Sequence, residues 1–207
     1  MEISNLIYFI AVSMLLTIAP GPDILYVITQ SISQGKKAGI ATALGLCTGL
    51  IVHTVAAAFG VSAILQQSAI AFKILKYAGA IYLFFLAWKA FREKNNLLSD
   101  LSTKNKDSTS LYRQGILMNI LNPKVGLFFL AFLPQFVNSK AGNVPGQMVL
   151  LGILFMLQTI LIFTTVAIFA GALGKKISSM PNISKYINYV KASIFALIGL
   201  KLALTDR

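Results

Sequence analysis

The sequence predicts an all-α integral membrane protein of six transmembrane helices, arranged as two inverted three-helix repeats with helices 1 and 4 broken. Three observations lead there. Of the 207 residues, 57% are hydrophobic and only 12% charged, too apolar a balance for a surface that faces water, and the mean hydropathy is +0.76. The apolar residues gather in six runs, each long enough for a hydrocarbon core that takes about 20 residues of helix. Prolines interrupt the first and fourth runs at corresponding places.

The first three runs lie near 5–30, 40–66 and 70–91, and the last three near 112–137, 146–174 and 184–204. The first carries Glu2 instead of a basic leader and outlasts a signal-peptide core, so it is taken as a retained span. Only Gln66, Gln67 and Ser68 divide the second from the third, but merged they would be too long for a bilayer. The one extended hydrophilic stretch, 93–111, reads as a polar cytoplasmic linker between a repeat over 1–92 and a repeat over 112–207. Three spans per half make the second half enter the membrane from the opposite face, which is the condition for inverted symmetry.

The net charge is +12. In a water-soluble chain that would point to nucleic acid, but here the cations sit at span ends, where they orient helices and meet anionic headgroups, so no nucleic-acid partner is expected. With the N-terminus outside, Lys36, Lys37, Lys89, Arg92, Lys94, Lys104, Lys106, Arg113, Lys175, Lys176, Lys185 and Lys191 fall inside. Lys73, Lys76, Lys140, Lys201 and Arg207 fall outside, and Lys124, within a span, counts on neither side. The inner excess places both termini outside.

Several chemistries find no support. Cys47 is the single cysteine and reads as a small packing residue. His53 is the single histidine, with no Cys or Glu cluster beside it, so no metal is expected. No nucleophile set and no phosphate-binding glycine loop is present, which argues against a hydrolase, against ATP as energy source and for no cofactor. Tyr77, Tyr82, Trp88, Phe91, Tyr112, Tyr186 and Tyr189 lie mostly near span ends, as an interfacial belt would.

The candidate site lies at the proline breaks, Ala19-Pro20-Gly21-Pro22-Asp23 in the first run and Leu121-Asn122-Pro123-Lys124 in the fourth. Proline inside a helix removes a donor and frees backbone groups, which lipid does not tolerate unless protein or a water-filled cavity surrounds them. A structural kink is the alternative for either break alone; two matching breaks favour a site. Asp23 and Lys124 are the ionisable residues set well inside apolar runs, each costing about 2.5–3.5 kcal/mol at a span centre. With Pro22 and Pro123 at the first helical position, Gly21 and Asn122 become N-caps. Asp23 then suits the positive helix end, whereas Lys124 opposes it. Lys124 is left to pair with Asp23, to snorkel, or to hold an anionic group of a ligand. A permanent Asp23–Lys124 structural pair competes with shared contact to an amino acid. His53, in line with Gly45, Gly49 and Gly60, is either a packing residue or, with Asp23, a proton-relay candidate.

These motifs, with Gly35-Lys36-Lys37-Ala38-Gly39 and Gly45-x-x-x-Gly49-x-x-x-His53, resemble the first half of the LysE/RhtB family of amino-acid exporters. Gly115-x-x-x-Asn119-x-x-Asn122-Pro123-Lys124, Phe128-Phe129 and Phe132-Leu133-Pro134-Gln135-Phe136 are similar to that family's fourth span. The resemblance implies efflux of a small amino acid across a bacterial cytoplasmic membrane in exchange for protons. Pro20, Gly21, Pro22, Asp23, Asn119, Asn122, Pro123 and Lys124 would then contact substrate. The partners expected are a small amino acid, protons and the bilayer, with a homodimer left open. Lys124 disfavours a cationic substrate. A membrane-embedded enzyme or a channel-like component using Asp23 and His53 is the alternative.

Overall fold

The computed structural model describes residues 3–61, 69–92, 106–178 and 183–204, and the regular structure in them is helical throughout. The divider Gln66–Ser68, the side chain of Tyr186 and most of the expected linker lie outside what is described. The helices are α1 (Ile3–Ile18), α2 (Pro22–Gln34), α3 (Lys36–Val55), α4 (Ala69–Arg92), α5 (Ser108–Ile120), α6 (Pro123–Leu127), α7 (Val144–Ser178) and α8 (Ile183–Leu204).

Two helix pairs are sharply bent at short breaks. Ser4–Ile18 and Pro22–Gln34 meet at 55°, and Ser108–Ile120 and Pro123–Phe136 meet at 47°. Lys36–Val61, Lys73–Arg92 and Val144–Ala172 are long and apolar enough to cross a membrane unbroken, so the described residues hold three spans, or five if each bent pair is one. The sixth expected span coincides with α8, but its apolar stretch is only Ala192–Leu204. That is short of the roughly 20 residues a hydrocarbon core takes.

Two boundaries differ from expectation for local reasons. The second span begins at Lys36 because Gly35, at φ 88°, turns the chain between α2 and α3 in one residue, a conformation that suits glycine. The fourth span begins at Ser108, within the expected linker, because the Asp107 carboxylate accepts the Ser110 N–H at 3.3 Å and caps α5.

Beyond α6 the helix widens to a π-turn over Phe128–Phe132 and tightens to a 3-10 turn over Leu133–Phe136. Pro134 accounts for this, since it lacks the N–H that would bond Leu130 and its ring crowds that carbonyl. The wound segment turns Phe128, Phe129, Phe132 and Phe136 inward onto Phe9 and Phe155, with ring centroids 5.1–6.2 Å apart. Around this aromatic core α3 packs on α5 and α7, α2 on α3 and α7, and α4 on α8. Phe59, Ile70, Leu161, Leu197 and Leu204 stay exposed on the outside, as residues facing lipid tails would.

Small residues set the close contact between α3 and α5. A Cβ on Gly45 would lie 2.1 Å from the Tyr112 carbonyl oxygen, and one on Gly115 would lie 2.7 Å from that of Thr42. Backbone meets backbone there, as small-residue packing allows. Gly60, expected on the same face, instead points into open space. The reason is the π-winding of Ala56–Val61, which rotates Ala57, Ala58 and Val61 inward and Gly60 out. Gly45→Ala is therefore expected to cost about 1–3 kcal/mol through overpacking, whereas Gly60→Ala stays within about 0.5 kcal/mol. Thermal melts of the purified protein in detergent check the pair; equal melting temperatures would contradict the packing.

Candidate functional site

Both prolines begin half-helices. Gly21 is the N-cap of α2 and Asn122 that of α6, with Pro22 and Pro123 at the first helical position and Asp23 and Lys124 at the second. The pyrrolidine rings face outward, exposed, so the prolines shape the breaks and leave the interior to their neighbours.

The two caps are unequal. The Asn122 side-chain oxygen accepts the Lys124 backbone N–H at 3.0 Å, closing the N-terminus of α6. Gly21 offers no side chain, so the first-turn amides of α2 have no cap of that kind and no intrahelical partner.

The charged side chains are both buried, Asp23 to 6% exposure and Lys124 to 8%. The Asp23 Oδ2 accepts from Asn119 Nδ2 at 2.8 Å, and its Oδ1 has no hydrogen-bond partner. The Lys124 ammonium reaches across to the Ala19 carbonyl, 2.8 Å away, and stands 5.4 Å from the centre of the Phe195 ring. Hydrogen bonding thus ties Asp23 to Asn119 and the Lys124 ammonium to the Ala19 carbonyl. It also supplies what local structure could not. Lys124 opposes the dipole of its own helix but sits at the carbonyl end of α1, where a cation is favoured.

A narrow, partly open cavity lies between the breaks, lined by Leu16, Thr17, Asp23, Ile24, Leu50, Asn119, Lys124, Val125, Phe155, Thr159 and Phe163. Of the residues singled out in the sequence, Asp23, Asn119 and Lys124 line it. Pro20, Gly21, Pro22, Asn122 and Pro123 form its frame, and Gly21 is buried so close that an added Cβ would meet the Lys124 ammonium at 3.2 Å. His53 stands behind Asn119, its Nε2 3.0 Å from the Asn119 carbonyl oxygen and its ring 5.8 Å from that of Phe129. Asn119 thus lies between Asp23 and His53.

Sequence inspection missed Thr17 and Thr159, because mid-helix threonines in apolar runs carry no pattern of their own. It also missed Lys76. That residue was counted among the outer cations but is buried, donating to the Ala203 carbonyl at 3.3 Å, with its ammonium 4.7 Å from the centre of the Tyr77 ring.

Residues 12–206 match the family described as LysE type translocator. The chain belongs to that family. Its relatives include a homoserine/homoserine lactone efflux protein of Salmonella typhimurium (strain LT2), 30% identical with 94% of each chain covered. A leucine efflux protein of Enterobacter sp. (strain 638) is 30% identical over 72% of this chain and 74% of its own. An uncharacterized membrane protein of Vibrio cholerae is 31% identical over 98% of both. No solved structure matches the chain. As a LysE-type translocator the chain is a membrane transporter and not an enzyme, which removes the membrane-embedded enzyme from consideration.

Proposed function

We propose that the chain exports a small neutral amino acid from the cytoplasm in exchange for protons, by alternating access between its two halves. One observation carries most of this. Two buried acceptors without a hydrogen-bond partner, Asp23 Oδ1 and Asn119 Oδ1, belong to residues lining the same cavity as Lys124. Unmet buried acceptors cost about 1–3 kcal/mol each unless a ligand supplies donors. An ammonium group supplies three.

The carboxylate of the same substrate is complemented by Lys124 and by the uncapped N-terminus of α2. A cationic side chain would meet Lys124 unfavourably, which leaves neutral amino acids. The activities for which the relatives are named agree, since homoserine, its lactone and leucine share an α-ammonium and a side chain without charge. Asp23 is the group that takes up the proton when substrate leaves. The two bends, 55° and 47°, each begun by a proline, support pivots in both halves of an inverted repeat. The membrane is the bacterial cytoplasmic membrane, with both termini outside by the distribution of cations.

Proteoliposomes loaded with a labelled neutral amino acid test it. An inward proton gradient is expected to accelerate efflux several-fold over no gradient. Efflux indifferent to the gradient would overturn the exchange, and no efflux under either condition would overturn amino-acid export.

A further inference from the structure

The cavity has a second polar feature, on α7 and on the last turn of α1, just before the first break. The Thr17 hydroxyl donates to the Ser13 carbonyl at 2.8 Å, and the Thr159 hydroxyl donates to the Phe155 carbonyl at 2.7 Å. Each proton is therefore committed to its own helix. The two oxygens lie 3.5 Å apart, a contact and not a bond once both protons are drawn to nearer carbonyls.

Gln158 adds to this. Its Nε2 donates to Thr17 Oγ1 at 2.9 Å and to Thr159 Oγ1 at 3.0 Å. The proton count fixes the amide in this sense, because hydroxyls that have given their protons away can only accept. The price is the Gln158 Oε1, which is buried without a hydrogen-bond partner. Each threonine oxygen keeps one acceptor direction, and both residues line the cavity. The pair is an acceptor-only site.

We infer that Thr17 and Thr159 form a side-chain subsite that accepts a hydrogen bond from the substrate, so the transporter selects small amino acids whose side chain carries a donor, such as a hydroxyl, over purely aliphatic ones. This rests on the amino-acid function proposed above and specifies its substrate class. A site built to accept a hydrogen bond penalises an analogue that lacks the donor, because its buried oxygens then stay unmet. Gln158, which does not line the cavity, acts through the two threonines and is a positioning residue.

Homoserine and norvaline differ by a terminal hydroxyl in place of a methyl and provide the probe. In proteoliposomes the wild type is expected to move homoserine at least tenfold faster than norvaline at equal, subsaturating concentration. Thr17→Val and Thr159→Val, which keep the shape and delete the acceptor, are each expected to lower that ratio about tenfold, and Thr159→Ser to restore it. Gln158→Leu is expected to lower the ratio less than either. Equal transport of the two amino acids by the wild type, or valine variants that leave the ratio unchanged, would overturn the subsite while leaving amino-acid export standing. Transport of neither would overturn both.

Discussion

Asp23→Asn is expected to lower export by roughly thirtyfold to a thousandfold, the equivalent of about 2–4 kcal/mol for removing one partner of a buried charge-assisted contact. The same change should leave the fold intact. The new amide oxygen still accepts from Asn119 Nδ2, as Asp23 Oδ2 does now at 2.8 Å. A buried carboxylate oxygen without a partner also disappears, and with it the desolvation of a charge inside a span. Melting temperature in detergent is thus expected to hold or rise while transport fails. A protein that loses both together would make Asp23 a structural residue, and one that keeps transport would exclude it from the site.

Lys124→Met should lower transport of a free amino acid roughly ten- to 150-fold, the range of a charge-assisted hydrogen bond of about 1.5–3 kcal/mol. Stability changes little. The lost ammonium leaves the Ala19 carbonyl without its donor, but a cation that opposed the α6 dipole goes with it. The informative comparison is between an amino acid and its carboxamide. If Lys124 faces the carboxylate, the wild type prefers the acid and Lys124→Met narrows that preference, whereas a purely structural lysine would slow both equally. Combining Asp23→Asn with Lys124→Met separates the remaining alternative. A self-neutralising pair would keep export in the double variant; because Asp23 is bonded to Asn119, the double variant is expected to transport no better than Asp23→Asn alone.

The physical reasons for the breaks were legible in the chain. Proline has no N–H and a fixed φ, so Pro22 and Pro123 could begin a helix more easily than continue one, and Gly21 and Asn122 fell into the cap positions that follow. Gly45 marked a close helix contact because only a missing side chain allows one. Gly60 did not continue that face. Its position depends on the π-turn at Ala56–Val61, and a turn widened by one residue changes which side faces inward without any local sequence mark.

The inner charges show the same division. Periodicity and composition could say that Asp23 and Lys124 lie inside a membrane, because burial of a charge is costly in any fold. They could not say what each charge meets, since the Ala19 carbonyl and the Asn119 amide are 105 and 96 residues away along the chain. By itself the sequence determined a helical membrane protein broken twice by proline, through backbone constraints that act over one turn. The tertiary structure alone decided that Lys124 rests on the carbonyl end of α1, that Asn119 holds Asp23, and that Thr17 and Thr159 share one cavity. Those are contacts between distant segments, and packing, not local propensity, brings them together.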